Sequence, residues 1–484
     1  MNTVYWLRND LRVHDNECLH RAVERDRPLT LVYIFDPRQF EMLDYGFRKT
    51  GYLRYKFLCD TLLDLRKSCK ERGNNLLLAV GKPEEILPDA VRRTEADLLL
   101  FQKEIASEEL AVEKAVEAAV AKENCKSEAV WGKTLYHIAD APFNPKDTPL
   151  TSKAFRMNLT KKAEVRALFE TPRSLPPAPD SLNDFGEIPA PEKLGFTTGE
   201  ILSEAVPAYL GGETAALARL DYYTRETQLL TNYKRTRNRS LGSDYSSKFS
   251  PYMASGSLSP RKIYREVKDY EKDIKKNIST WWLIFEVVWR DFFKYTALRF
   301  GDKMFAAGGI RDRDTEWMYD RKLFDRWRYG KTGIPFIDAH MRELNQTGFM
   351  SNRGRVNCAS FLARDYKIDW RWGAAWFETQ LIDYDVCSNW LNWNTQATEI
   401  WYTNPVHQGG NKYDKRGEYV KAWLPELANV PAPIVQAPWL LTAAEREQYG
   451  ATQYPPPVEV YKKWMRAGNL IEKAHRGEEE NKKE

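Results

Sequence analysis

The chain has 484 residues, 43% of them apolar, and its 73 Lys plus Arg against 68 Asp plus Glu leave a net charge of only +5. That length is too great for one compact core and favours two or three domains, and the small excess of charge confines any nucleic-acid site to a local patch. No apolar stretch approaches the ~18 residues of a membrane span, and the six cysteines show no CxxC or metal-finger spacing, which argues against a membrane, disulfide or metal role. The 16 Trp and 25 Tyr exceed what packing requires; such rings can fill a core, stack on planar ligands or relay electrons.

The chain enters a strand-like run at Val4-Tyr5-Trp6 without a signal peptide, so a cytoplasmic protein is expected. Thr3 to Leu7, Leu29 to Phe35, Leu76 to Val80 and Leu98 to Phe101 read as buried strands. Amphipathic helices lie between them: Phe57, Leu58, Leu62 and Leu65 recur at helical spacing, and Gly73 supplies a stop. This βαβ rhythm predicts an α/β domain over residues 1–130, built on a doubly wound parallel sheet. No GxGxxG follows the first strand, so the usual dinucleotide fingerprint is missing. Glu104 follows a strand at the sheet's carboxyl edge, where open α/β folds bind ligands; a plain surface charge is the other reading.

Prolines 172, 176, 177, 179, 189 and 191 mark the second half of an extended linker assigned to residues 131–205. Long helical patterns follow and predict an all-α domain over 206–470, with a charged, frayed tail over 471–484.

Several local patterns in this second part carry chemistry, and each has two readings. Lys234, Arg235, Arg237 and Arg239 form a basic run suited to phosphates or to a solvated helix end. Ser246, Ser247 and Ser250 around Lys248 offer hydroxyls, N–H groups and a cation, as a pyrophosphate needs; an ordinary turn and helix cap needs them equally. Glu286, Trp289 and Arg290 share a helix face suited to an extruded base, or they make an intrahelical Glu286–Arg290 bridge with Trp289 in the core. Asp385, Asn389 and Trp393 fall on one face at i, i+4, i+8 and can meet a flat heterocycle; the alternative makes Asp383 and Asp385 capping carboxylates.

Six segments in order resemble the cryptochrome/photolyase family. They are Gly211-Gly212-Glu213-Thr214-Ala215, Asp244-Tyr245-Ser246-Ser247-Lys248-Phe249-Ser250-Pro251, Phe285-Glu286-Val287-Val288-Trp289-Arg290-Asp291-Phe292-Phe293, Thr332-Gly333-Ile334-Pro335-Phe336-Ile337-Asp338-Ala339, Ser351-Asn352-Arg353-Gly354-Arg355 and Leu381-Ile382-Asp383-Tyr384-Asp385. Trp6-Leu7-Arg8-Asn9-Asp10-Leu11-Arg12 is similar to the family's opening strand and loop, and the GGETA, DYSSKFSP and Asp369-Trp370-Arg371-Trp372 segments resemble its DASH branch. The resemblance implies a photolyase fold with FAD held in the helical domain. Tyr233, Ser246, Ser247, Lys248, Phe249, Ser250, Glu286, Arg290, Asn352, Arg355, Asp383, Asp385 and Asn389 would bind the cofactor, Asn389 beside flavin N5 and Arg355 paired with Asp383.

By the same resemblance Glu286, Trp289, Asn352, Arg353 and Asn389 would serve repair of a pyrimidine dimer. Lys234, Arg235, Arg237, Arg239 and Trp289 would contact the DNA. Trp393, Trp370 and Trp317 match the family's chain of tryptophans that reduces photoexcited FAD, and Glu104 matches a position that holds a 5,10-methenyltetrahydrofolate antenna. The expected function is blue-light repair of cyclobutane pyrimidine dimers, preferentially in single-stranded or locally unpaired DNA, by a monomer; a photoreceptor without significant repair is the alternative.

After Trp393 the sequence departs from the family. The usual aromatic two residues on is Thr395, and the following loop is several residues shorter. Loss of a stacking ring removes ~1–3 kcal/mol per base, unless Trp401 or Tyr402 takes its place.

Overall fold

The computed structural model describes residues 2–201, 207–399 and 402–480. Five parallel strands, β1 (Asn2–Leu7), β2 (Leu29–Phe35), β3 (Leu76–Val80), β4 (Ala96–Gln102) and β5 (Lys126–Val130), form one sheet in the order β3-β2-β1-β4-β5. Val4 of β1 is paired with Thr30 on one side and Leu99 on the other. The period-two alternation of a strand then sends neighbours to opposite faces. Tyr5, Leu7, Leu31 and Phe35 pack with Leu62 and Leu65 of α2 (Tyr52–Lys70), which follows α1 (Glu17–Glu24) in the chain. Val4, Trp6, Val32 and Leu99 pack with Leu87 and Val91 of α3 (Pro83–Thr94) and Val116 and Val120 of α4 (Ser107–Ala121). The expected doubly wound sheet is therefore present. The sequence missed β5, whose Lys126-Ser127-Glu128 lacks the apolar run of a central strand because β5 is an edge strand paired only with β4.

The chain separates into two compact units. The first comprises Met1–Lys234, Ser247–Met304 and Ile382–Asn389; the second comprises Arg235–Ser246, Phe305–Leu381 and Trp390–Glu484. In the first unit the proline-rich run follows the sheet domain: Leu29 N–H donates to the Pro177 carbonyl (2.9 Å) and Leu78 N–H to that of Phe185 (2.9 Å). Helices α5 (Ser152–Lys162), α6 (Glu213–Asp221), α7 (Pro260–Asp273) and α8 (Ile278–Phe300) complete this unit. α8 starts at a capping box, in which the Asn277 side chain accepts from Ser279 and Thr280 N–H groups while Thr280 returns a bond to Asn277 N–H. It buries Leu283, Val287, Val288 and Tyr295 against Phe155, Ile263 and Tyr270.

The second unit contains α9 (Arg321–Arg328), α10 (Pro335–Thr347), α11 (Asn352–Ser360), α12 (Trp370–Gln380), most of α13 (Val386–Thr398) and α14 (Lys462–Glu480). Two expectations change here. The tail is helical to Glu480, because Trp464, Ala467, Ile471 and His475 recur at helical spacing and are all buried. The segment after Trp393 continues α13 as far as Thr398 before any loop begins. Among the described residues no helix is long and apolar enough to cross a membrane.

Candidate functional site

In the first unit, Lys248 has a φ of +61° and is followed by right-handed Phe249 (φ −81°, ψ −13°). Alternating backbone hands of this kind turn successive N–H groups toward one point and make an anion-binding nest. Lys248 is buried, Phe249 packs edge-on to Tyr223 at 5.9 Å, and Tyr223 meets Tyr233 at 6.4 Å. Arg219 Nε fixes the loop by donating to the Ser247 carbonyl (3.1 Å). The helical turn Ser250–Ser255 begins at Phe249 with no side-chain cap, so the serines are not spent as an N-cap. This geometry fits a bound pyrophosphate.

The Glu286–Arg290 bridge of the bland reading does not form. Glu286 Oε1 accepts from Trp282 Nε1 (2.9 Å), one turn back along α8, and Lys234 Nζ lies 3.0 Å from the centre of the Trp282 ring. The first residue of the basic run is thus joined through Trp282 to Glu286, and Trp289 is half-buried beside Phe285, Phe292 and Phe293. Arg290 instead donates to the carbonyls of Lys133 (2.6 Å) and Met253 (3.0 Å) and stands 3.8 Å from Asp385.

Asp385 takes the capping role. Its Oδ1 caps α13 by accepting from Ser388 N–H (2.9 Å), and its Oδ2 receives Lys294 Nζ (2.5 Å). Burial alone would raise its pKa, but Lys294 and Arg290 hold it far below the usual carboxylate range. Asp383 and Asn389 are also buried in this unit.

At the sheet edge Glu104 is not a surface charge. It is 4% exposed, and its Oε1 accepts from Lys133 Nζ (2.6 Å) and Asn9 Nδ2 (3.1 Å). Arg8 pairs with Glu113 (2.6 Å), which also receives Lys103 and the Glu104 N–H. The carboxyl ends of β1 and β4 thus carry paired charges, and Oε1 of Glu104 is shared by Lys133 and Asn9.

In the second unit the rest of the basic run meets α11. Arg353 Nε donates to Asn238 Oδ1 (2.9 Å), and Ser240 Oγ lies 3.1 Å from Oγ of Ser351, the N-cap of α11. Asn352, the first residue of α11, is exposed. Arg235, Arg237, Arg239 and Ser246 belong to the same segment, and Arg355 donates to the Met350 carbonyl (2.9 Å).

Trp317 and Trp370 are brought together: both indoles donate to the Ala307 carbonyl, at 3.1 and 3.0 Å. Trp370 is fully buried, whereas Trp317 is half-exposed, so the pair leads from the core toward water. Trp393 is buried against Trp327 (6.0 Å) and Phe377 (5.1 Å), and its Nε1 has no hydrogen-bond partner among the described residues. Thr395 turns its hydroxyl back to the Leu391 carbonyl (3.0 Å). Tyr402 is bonded to Asp365 (3.1 Å) and Trp464 (3.1 Å), and Trp401 lies outside the described residues.

Sequence reasoning missed Trp282, Lys294 and Trp327. Trp282 and Lys294 could have been found, standing four residues before Glu286 and four after Arg290 on the same helix. Trp327 had no signal, since only folding brings α9 to Trp393.

Known proteins resemble this chain over most of its length. Residues 3–178 match the DNA photolyase family model, and residues 282–469 match the FAD binding domain of DNA photolyase. The chain is 44% identical over 477 residues to a cryptochrome DASH of Synechocystis, covering 96% of this chain and 97% of that protein. The fold is similar to the crystal structure of Synechocystis cryptochrome (TM-score 0.91, 44% identity, 97% of this chain and 99% of that one). It is also similar to a bacterial class III photolyase from Agrobacterium tumefaciens (TM-score 0.83, 27% identity, 98% and 97%).

Proposed function

This chain belongs to the DASH branch of the cryptochrome/photolyase family, and we propose that it repairs cyclobutane pyrimidine dimers under blue light, preferentially in single-stranded DNA. The observation that carries the proposal is the linked set Lys234, Trp282, Glu286 and Trp289, which combines a cation, a carboxylate and ring faces on one helix side. Bound FAD, reduced and photoexcited, would supply the electron that opens the cyclobutane ring and then recover it.

The residues supply binding and orientation. The Lys248 nest would hold the cofactor's phosphates, and Ser246, Ser247, Phe249, Ser250 and Tyr233 are proposed for the same task. Arg290, Arg355, Asp383, Asp385 and Asn389 would hold its ring system; Lys294 keeps Asp385 ionised for that task. Glu286 would accept hydrogen bonds from an extruded lesion while Trp289 stacks on it, and Asn352 and Arg353 are proposed to serve the same repair. Arg235, Arg237 and Arg239 would take phosphates. Trp317, Trp370 and Trp393 would carry electrons inward from the surface. The preference for single strands follows because a base already unstacked costs less to extrude. The proposed setting is a cytoplasmic monomer.

A 5,10-methenyltetrahydrofolate antenna is proposed at Glu104, whose carboxylate also pairs with Lys133. Release of stoichiometric folate from denatured protein supports it; protein that releases only flavin removes it.

The photoreceptor reading is favoured by one feature, Thr395, which offers no ring where a stacking residue is expected. Blue-light repair of a dimer-containing oligonucleotide, single-stranded and duplex, against a dark control decides between them. Light-dependent loss of the lesion in the single strand supports the lyase. A photoreducible yellow protein that repairs neither substrate replaces it with the receptor.

A further inference from the structure

Toward the start of α8 an aromatic surface extends beyond the site described above. Trp281, which is 42% exposed, stacks on Phe285 at 5.4 Å with 26° between ring planes, and Phe285 meets Trp289 at 5.8 Å. The Arg156 guanidinium, from α5, lies 5.2 Å from the Trp281 ring and 4.7 Å from the Phe285 ring. Among the described residues no carboxylate pairs with it. The flanking segments are cationic: α5 carries Lys153, Arg156, Lys161 and Lys162, and residues 274–285 add Lys275 and Lys276, with no Asp or Glu within either. A tryptophan left half in water costs solvation free energy unless a partner covers it. Rings beside an uncompensated guanidinium suit a partner that is flat, apolar on its faces and anionic at its edge.

We propose that Trp281, Phe285 and Arg156 form a stacking step for unpaired nucleotides next to those bound at Glu286 and Trp289, so that the chain grips a run of single strand rather than the lesion alone. Bases stack on ring and guanidinium planes without sequence preference, and the guanidinium edge, steadied by two rings, meets the phosphate. A duplex keeps its base faces stacked inside itself and presents none to this ladder, so the step also discriminates by strandedness. This inference rests on the proposed binding of single-stranded DNA.

Fluorescence anisotropy of the flavin-loaded full chain tests it, using dimer-containing single strands of about 5 and about 15 nucleotides, the range of such binding sites. The native protein should bind the longer strand more tightly. Trp281→Ala and Arg156→Gln should each reduce that advantage, by about tenfold for the ring, while the short strand binds as before. Arg156→Gln should also lower the salt slope for the longer strand by about one. Phe285→Leu, which keeps apolar volume, serves as a second variant, and unchanged melting temperatures show that each variant folds. Variants that keep the full length advantage overturn the inference and leave the lesion site standing, as does a native protein indifferent to length. A native protein that binds neither strand overturns the proposed function as well. Concentration-dependent dimerisation abolished by Trp281→Ala assigns the face to a second copy and overturns the inference.

Discussion

At the carboxyl edge of the sheet, Arg8 and Lys103 meet Glu113, and Lys133 meets Glu104, with both carboxylates almost fully buried. Along α8, Lys234 lies on Trp282 and Arg156 on Trp281 and Phe285. The two regions belong to one compact unit and use the same kinds of cation. A cation buried with a carboxylate is consumed by the fold, because its field is cancelled where water cannot replace the partner. A guanidinium laid on rings gains packing while keeping its charge for an outside anion. The first arrangement supports stability and the second supports binding.

The largest effect expected from this contrast is on stability. Lys133→Met leaves the Glu104 carboxylate buried without its cation and should destabilise the fold by about 3–5 kcal/mol in urea titration, with little change in affinity for single-stranded DNA. The comparison fails if that variant keeps its stability. Lys294→Met should act the same way on the inward side of α8 by uncovering Asp385.

The acid limb follows with its sign. Burial opposes the charge of Asp385 and Glu104, but Lys294 and Lys133 lower both pKa values below those of the unfolded chain. Each pair therefore stabilises the fold above about pH 4, the unfolded carboxylate range, and that contribution fades as pH falls further. Unfolding titrations between neutral pH and about pH 3 should show a steeper acid loss for the native chain than for Lys294→Met.

Binding effects come next. Trp289→Ala should weaken binding of a dimer-containing single strand by about ten- to a hundredfold, the range for losing one stacked base, with stability nearly unchanged. A comparable loss of melting temperature would place Trp289 with the core rings instead. Smallest is Lys234→Gln, which removes one cation from the Trp282 face and should lower the salt slope of strand binding by about one.

What the sequence determined by itself follows from local rules. Short continuous apolar runs marked the first four strands, and the period of 3.6 marked α2 and the long helices, because both depend on neighbours along the chain. The ordered segments around Lys248, Glu286 and Asp385 were legible for the same reason: each lies within a few residues of its own turn or helix. The polar edge strand β5 and the docked α14 were less legible, since one lacks an apolar run and the other hides its buried residues among charges. Tertiary structure alone decided the partners. It closed Glu104 against Lys133, gave Glu286 to Trp282 rather than Arg290, set Trp317 and Trp370 on one carbonyl, and laid Arg156 over the rings of α8. Long charged and aromatic side chains have several partners within reach, and only the packed backbone decides which one excludes water.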